Sequence, residues 1–339
     1  MSMAQFKSVG LKIFGGARLG RGSILALMLV ALVLLVLPQF VGIVVVTLFT
    51  RIFILSVFGM SYDLLRGYSG IINLGHALFF GGGTYIAGIA FANFGASPQM
   101  LLVAVVAAVV YSMAAALLMG KIAFRGGSVV ACAMITLALG EIVRHLAENW
   151  RSVTHGADGL TFPIPEFLRD RVSFYYYALV FMVVMMLILR QFIQSPTGRV
   201  LMAIRENEQR AIFLGYNTAK YKLVALQVAG IACGLSGVMF ALSSRFANTD
   251  LLTVQQTLNA LLVTIVGGTG TLYGAIVGTA FVQVAQFSLL GLRTLHPIFE
   301  RWLLFFGAMY VLVVLFMPTG IVGLYHKIGA RWAQRARRS

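Results

Sequence analysis

The chain has 339 residues, of which 60% are hydrophobic and only 11% are charged. Soluble domains carry about a quarter charged residues, so this composition excludes an ordinary soluble protein and indicates a membrane protein. The formal net charge is +16, but the basic residues cluster at the ends of apolar runs and in the C-terminal tail. This distribution argues against nucleic-acid binding. Cys132 and Cys233 each lie inside an apolar run, which predicts neither a disulfide framework nor a metal site.

A basic arm, residues 1–22, precedes the first apolar run, Ile24 to Leu37. The arrangement is similar to a signal sequence, but no small-residue cleavage site follows and another apolar run begins at once. We interpret the run as an uncleaved first span.

Ten apolar segments approach the roughly twenty residues needed to cross a bilayer. They cover 23–41, 43–62, 69–92, 99–119, 128–146, 173–193, 220–243, 257–269, 272–290 and 301–317. The break between 257–269 and 272–290 fits either a turn or a re-entrant bend. The sequence therefore predicts an all-α, polytopic membrane protein of about ten transmembrane helices, with its membrane domain at 23–320.

The Lys and Arg residues of the short loops predict the orientation. The arm, the loop at Lys121 and Arg125, the loop 195–222 and the tail 321–339 are all basic, and even numbers of predicted spans separate them. Both termini are therefore expected in the cytoplasm and the segment 148–171 outside. Arg51 lies within the second apolar run, where it either faces protein, divides the run, or extends toward the interface.

The loop 195–222 is the densest run of charge between long apolar segments. Ser195 followed by Pro196 is typical of a helix start, and Gly215 is suited to a left-handed helix end. We expect a surface helix of about five turns, with an apolar stripe formed by Leu201, Ile204, Ala211 and Leu214. From spacing alone, the loop either only fixes the topology or binds a partner.

From Thr197 to Leu223 the chain reads T-G-R-x-L-x-A-I-R-E-N-E-x-x-A-x-x-L-G-Y-N-x-x-x-Y-K-L. This run resembles the coupling loop of the permease subunits of branched-chain amino acid ABC importers, in which a short helix sits in a cleft of the ATPase. The resemblance implies an ATPase coupling loop that includes Gly198, Arg199, Arg205, Glu206, Glu208 and Gly215. Within it, Arg205 and Glu206 are the candidates for charged contacts with the ATPase, and Gly215 is the candidate for the sharp exit into the next span. The sequence departs from the generic Glu-Ala-Ala pattern, because Gln209 and Arg210 follow Glu208.

Two glycine-rich stretches, Gly67 to Gly88 and Val266 to Gly278, interrupt the apolar pattern. Paired interruptions of this kind are typical of transporters built from an inverted repeat, and they predict a translocation path. The candidate path residues are Asn73, His76, Thr84, Tyr85, Gly267, Gly268, Thr269 and Gly270. The alternatives are close helix packing by the glycines and a hydrogen-bonded structural role for His76.

Glu141, Arg144, His145 and Glu148 share one helical face near a span end. We expect them to pair with one another near the entrance, and the alternative is contact with the substrate. The sequence lacks a phosphate-binding G-x-x-x-x-G-K-[ST] loop and a nucleophile–base set, so no catalytic residue, cofactor or enzymatic activity is predicted.

The resemblance implies a permease of the bacterial inner membrane, surrounded by lipid, working by alternating access. The implied partners are ABC ATPase subunits, a sister permease in a heterodimer and a periplasmic substrate-binding protein. The implied ligand is a branched-chain amino acid, and the alternatives are urea, short amides and other small carboxylates. An ion-coupled secondary transporter is a different class, which favours acids buried within spans. A membrane-embedded enzyme is a third class, but it would need polar residues that converge on one site, and the sequence shows no such set.

Overall fold

The computed structural model describes residues 21–125 and 128–291, together with scattered positions between 305 and 323. Within residues 21–291, the described α-helices are α1 Arg21–Phe40, α2 Ile43–Asp63, α3 Ala77–Phe94, α4 Pro98–Ala123, α5 Val129–Asn149, α6 Arg151–Thr154, α7 Arg171–Gln194, α8 Pro196–Glu206, α9 Glu208–Phe213, α10 Thr218–Ser244, α11 Val254–Gly267 and α12 Leu272–Gly291. A π-helical turn, Leu64–Ser69, extends α2. Short 3-10 turns lie at Gly156–Asp158, Glu166–Leu168 and Thr249–Leu252.

Seven of the described helical segments are long and apolar enough to cross a membrane: Ile43–Ser69, Ala77–Phe94, Pro98–Ala123, Val129–Asn149, Arg171–Gln194, Thr218–Ser244 and Leu272–Leu289. The prediction of a helical, polytopic membrane protein is therefore confirmed. Helices α1 and α11 occupy the predicted spans 23–41 and 257–269. Most of the predicted span 301–317, the arm up to residue 20 and the tail from residue 324 lie outside the described residues.

Helix α2 is the centre of the bundle and packs against α7, α10 and α12, while α3 and α4 pack against α10. The C-terminal half of α2 is buried from Ser56 to Asp63. In contrast, α4 presents exposed aliphatic side chains, among them Leu102, Val103, Val106 and Val110. An apolar face of this kind is what a helix in contact with lipid requires.

The two ends of the bundle differ in structure. At the end that we call the loop end, α7 leads into the residues 195–222. At the opposite end, the segment between α5 and α7 folds over the bundle, and its strand Leu160–Thr161 (β1) pairs antiparallel with Phe246–Ala247 (β2). This two-stranded ladder is the departure from the all-α prediction within the described part of the chain.

The structure corrects the predicted span 69–92. Residues 70–76 are not helical, and α3 begins only at Ala77 and then passes without interruption through the glycines at 81–83. The proposed division of the second apolar run is also wrong, since α2 continues unbroken past Arg51. The Arg51 guanidinium lies 5.9 Å from the centre of the Phe240 ring, a cation–π contact.

Candidate functional site

The first helix break runs from the π-helical turn through residues 70–76, and its amides are satisfied by side chains of distant helices. The Thr136 hydroxyl, about two turns into α5, accepts the Leu74 N–H at 3.1 Å. The Thr257 hydroxyl of α11 accepts the Ala77 N–H at 2.9 Å. Because no water is available at membrane depth, irregular backbone requires such internal partners. This break is therefore fixed by α5 and α11.

His76 closes this break and is fully buried. Its Nε2 lies 2.8 Å from the Ser61 hydroxyl, which itself donates to the Phe58 carbonyl oxygen at 2.7 Å, so the imidazole is the donor to Ser61. The rings of Phe58, Tyr62 and Phe79 surround the imidazole at centroid distances of 5.8, 5.4 and 5.8 Å. The geometry agrees with the structural interpretation of His76, a residue held by hydrogen bonding and ring packing.

The other candidate path residues of the first half are also enclosed within the chain. Asn73 and Thr84 have no exposed surface, and Tyr85 is 5% exposed. The Asn73 Oδ1 accepts the Gly75 N–H at 2.9 Å, and the Thr84 hydroxyl lies 3.0 Å from the Gly237 carbonyl oxygen. Whether these side chains meet a solute stays a prediction, but their polar atoms are used to hold the break and the α3–α10 contact.

The second break separates α11 from α12 at residues 268–271. A Cβ atom built on Gly267 would overlap the Gly274 carbonyl, and one built on Gly278 would overlap the Val263 carbonyl. The two helices thus pack antiparallel with their backbones in direct contact, which favours a turn over a re-entrant bend. Gly267, the last residue of α11, and Gly268 are buried, whereas Thr269 is exposed.

The two breaks meet at the loop end. The Asp63 Oδ1 accepts the Gly270 N–H at 2.7 Å, across 207 residues of sequence. The Arg205 guanidinium donates from Nη1 to the Gly67 carbonyl oxygen. Because a Cβ on Gly67 would overlap both the Asp63 carboxylate and the Gly270 amide, only glycine fits at this crossing. We call these four residues, Asp63, Gly67, Arg205 and Gly270, the junction.

The loop 195–222 begins as the sequence predicts. The Ser195 hydroxyl accepts the Gly198 N–H at 3.2 Å and Pro196 is the first residue of α8. The predicted single helix of five turns is wrong, because Asn207 leaves the helical conformation at φ −160° and its side chain starts α9 by accepting the Arg210 N–H at 2.9 Å. Gly215 has φ +85°, which confirms the predicted left-handed end.

The apolar stripe of this loop is confirmed at three of its four positions. Leu201, Ile204 and Ala211 are buried, whereas Leu214 is 71% exposed. The stripe ends before Leu214 because α9 ends at Phe213. As a result, an apolar surface made of Ile212, Phe213, Leu214 and Tyr216 faces solvent, with Phe213 87% exposed. We call these four residues the α9 patch.

The predicted coupling residues of the loop differ in their surroundings. Arg199 and Glu206 are exposed on α8, and Gly198 is buried under the Ser195 cap. The Glu208 carboxylate pairs with the Lys222 ammonium at 2.5 Å, which ties α9 to the start of α10. Arg205 binds the chain's own backbone at Gly67. The structure thus brings Arg205 into the junction, a contact that the sequence did not indicate.

The polar face of α5 pairs with itself, as predicted. The Arg144 guanidinium binds Glu141 at 2.7 Å and also binds Glu148, and the His145 imidazole lies 3.2 Å from Glu148. These groups are i, i+3 and i, i+4 neighbours, so the cluster is local to one helix. In the described part of the chain, no group of three His, Cys, Asp or Glu residues is arranged to hold a metal ion.

Comparisons with known proteins give a family match and individual relatives. The sequence profile of a family described as branched-chain amino acid transport system / permease component matches residues 44–314. The high-affinity branched-chain amino acid transport system permease protein LivM of Escherichia coli is 26% identical over 328 residues, covering 87% of this chain and 74% of the relative. LivM of Salmonella typhimurium is 26% identical over 303 residues, covering 80% and 68%.

A third relative matches only part of the chain. The autoinducer 2 import system permease protein LsrC of Photorhabdus laumondii is 32% identical over 94 residues, covering 26% of this chain and 28% of the relative. No solved structure matches the chain significantly.

Proposed function

The chain belongs to the family of permease components of branched-chain amino acid transport systems, and from this premise we propose that it is the membrane-spanning permease of an ABC importer for branched-chain amino acids. As a transport component it is not an enzyme. In the proposed cycle, an external binding protein delivers the ligand, and ATPase subunits drive alternating access. A sister permease completes the path as the second half of a heterodimer.

One observation carries this proposal: the loop 195–222 is mounted directly on the junction of the two helix breaks. Helix α8 has a buried face that packs on the bundle and an exposed face that carries Arg199 and Glu206. The α9 patch adjoins it and remains uncovered. Exposed apolar surface rimmed by charge is typical of a protein–protein contact. We assign this surface to the ATPase subunit.

The proposed path follows the breaks. Thr269, exposed in the second break, is our candidate for contact with the solute. Gly267, Gly268 and Gly270 allow the backbone there to lie close to its neighbours. The four buried path residues of the first half are proposed to support the path from inside the protein by stabilising the conformation of the first break. They are Asn73, His76, Thr84 and Tyr85.

The membrane arrangement completes the proposal. We propose ten spans related by an inverted repeat, in the bacterial inner membrane, with both termini and the loop 195–222 in the cytoplasm. The basic residues of the arm, of this loop and of the tail support that orientation. An impermeant thiol reagent added outside should then label Asp158→Cys and leave Glu206→Cys unlabelled.

The identity of the ligand is tested with the binding protein that delivers it to this permease. We expect leucine, isoleucine and valine to raise its melting temperature, because ligand binding stabilises the folded state. Proteoliposomes that contain the permeases and the ATPase subunits should import the same amino acid only when ATP is supplied to the ATPase subunits. Stabilisation by urea or acetamide instead would replace the proposed ligand, and uptake without ATP would contradict an ABC importer.

A further inference from the structure

We propose that Arg205 and Asp63 form a two-point joint that transmits movement of the loop 195–222 to both helix breaks. This inference rests on the proposed function and deepens it. It assigns Arg205 a positioning role inside the permease, separate from contact with the ATPase.

The first point of the joint is the Arg205 guanidinium. The helical run from α2 ends at Ser69, so the Gly67 carbonyl is among the last carbonyls of the helix, which lack partners within it. Arg205 supplies that partner across 138 residues of sequence. A cation at this position also complements the negative end of the helix dipole. Movement of α8 is therefore applied directly to the end of the first broken span.

The second point is the Asp63 carboxylate. It accepts the Gly270 N–H, and the Thr271 amide also faces it, so the carboxylate sits at the N-terminus of α12. An anion at this position complements the positive end of that helix dipole. Asp63 thus connects the end of α2 to the start of α12 and carries movement of the first break to the second.

The two points act as one unit because both lie beside Gly270. A Cβ built on Gly270 would lie 3.3 Å from both the Arg205 Nη1 and the Gly67 carbonyl oxygen. A Cβ built on Gly70 would lie 3.2 Å from the Arg205 Cγ. The Arg205 charge also acts on the Asp63 carboxylate, whose Oδ2 has no hydrogen-bond partner among the described residues. Displacement of Arg205 must therefore disturb both breaks.

The helices of the loop are attached firmly enough to move together. The buried side chains Leu201 and Ile204 hold α8 against the bundle, and the Glu208–Lys222 pair fixes α9 to α10. Force applied at the α9 patch therefore moves a connected unit. Arg205 is the side chain of this unit that bonds to the π-helical turn.

The test uses the full complex of both permeases with the ATPase subunits, in nanodiscs. Thr269→Cys, in the exposed part of the second break, reports on movement there through its rate of reaction with a maleimide. The native Cys132 and Cys233 are buried, which keeps the background low. In the reporter background, MgATP with vanadate should change the labelling rate at position 269. The readout needs no transported ligand.

The decisive variant is Arg205→Ala. We expect the ATPase subunits to co-purify at the wild-type ratio and to hydrolyse ATP, while the nucleotide-dependent change in labelling falls about tenfold, as for the loss of a charged hydrogen bond. Arg205→Lys should restore part of the change. Lys121→Ala, which removes an exposed cation from the last turn of α4, serves as the matched control and should behave as the reporter alone.

Asp63→Asn keeps the volume and the acceptor for Gly270 but removes the charge. It should weaken the labelling change without loss of the ATPase, and it tests the joint even if Arg205→Ala folds poorly. Loss of the ATPase subunits from Arg205→Ala would make Arg205 a docking contact and overturn the inference. A full labelling change in both variants would overturn it as well. Failure of the unmodified complex to bind ATPase subunits would instead contradict the proposed function.

Discussion

At the loop end, Asp63 caps a helix that begins more than two hundred residues away, whereas at the opposite end Asp170 caps its own helix α7 by accepting the Ser173 N–H at 2.8 Å. Both carboxylates accept a backbone N–H at the N-terminal end of a helix, but Asp63 is fully buried and Asp170 is exposed. The local cap stabilises one element, while the distant cap fixes two elements relative to each other. The difference separates acids that stabilise their own helix from acids that connect distant segments.

The basic residues show the same contrast. Arg144 pairs with acids of its own helix, and Arg205 with the backbone of another span. Local pairs near the surface contribute little to stability because solvent screens them. A contact between distant segments instead determines how those segments move together. Three substitutions test this contrast, from the largest expected effect to the smallest.

Gly67→Ala should have the largest effect. Its methyl group would overlap the Asp63 carboxylate and the Gly270 amide, so the junction must open. Overpacking of this kind typically costs about 1–3 kcal/mol. We expect a lower melting temperature in detergent and loss of uptake. Gly42→Ala, where nothing lies within 4 Å of the added atom, is the matched control. Equal stability of the two variants would show that Gly67 can move away from Asp63 and Gly270 without loss of stability.

Arg144→Ala should have a small effect. Its ion pairs join neighbours on α5, and partly exposed pairs of this type contribute about 0.2–1 kcal/mol. The melting temperature should fall slightly, and the fall should shrink in high salt, because salt screens the wild-type pairs. Loss of transport with normal stability would contradict a purely local role and place this cluster in the transport cycle.

Asp170→Ala should have the smallest effect, confined to one pH range. The Ser173 amide and hydroxyl hold the pKa of the Asp170 carboxyl below its usual value. A lowered pKa in the folded state means that the stabilisation is present at neutral pH and disappears as the pH falls through that pKa. The variant should therefore be less stable than the wild type at pH 7 and equal to it in strong acid. A difference that grows toward low pH would have the wrong sign.

Much of the fold was predictable because membrane spans have a strong composition signal. The predicted limits of 99–119 and 173–193 lie within a few residues of α4 and α7. The cap at Ser195 and the left-handed Gly215 were also predictable, since both depend on residues close in sequence. These features follow from local preferences, which spacing reveals.

The junction was not predictable, because its contacts join segments far apart in sequence. Nothing near Asp63 indicates that its partner is the Gly270 amide, and Arg205 is equally compatible with a surface role. The interruption at Gly67 to Gly88 was predictable, but its unwound residues 70–76 were not, since the hydroxyls that satisfy their amides belong to the distant Thr136 and Thr257. The break at Asn207 depends on a cap within a sequence that also fits a continuous helix.

The central claim is that the loop 195–222 joins the membrane domain to an ATPase. The most direct measurement is photo-crosslinking from a benzophenone side chain at position 213, the most exposed residue of the α9 patch. The same group at Val184, which is 46% exposed on α7, is the control. We predict an adduct with the ATPase subunit from position 213 and none from position 184. No ATPase adduct from 213, or equal adducts from both positions, would contradict the account.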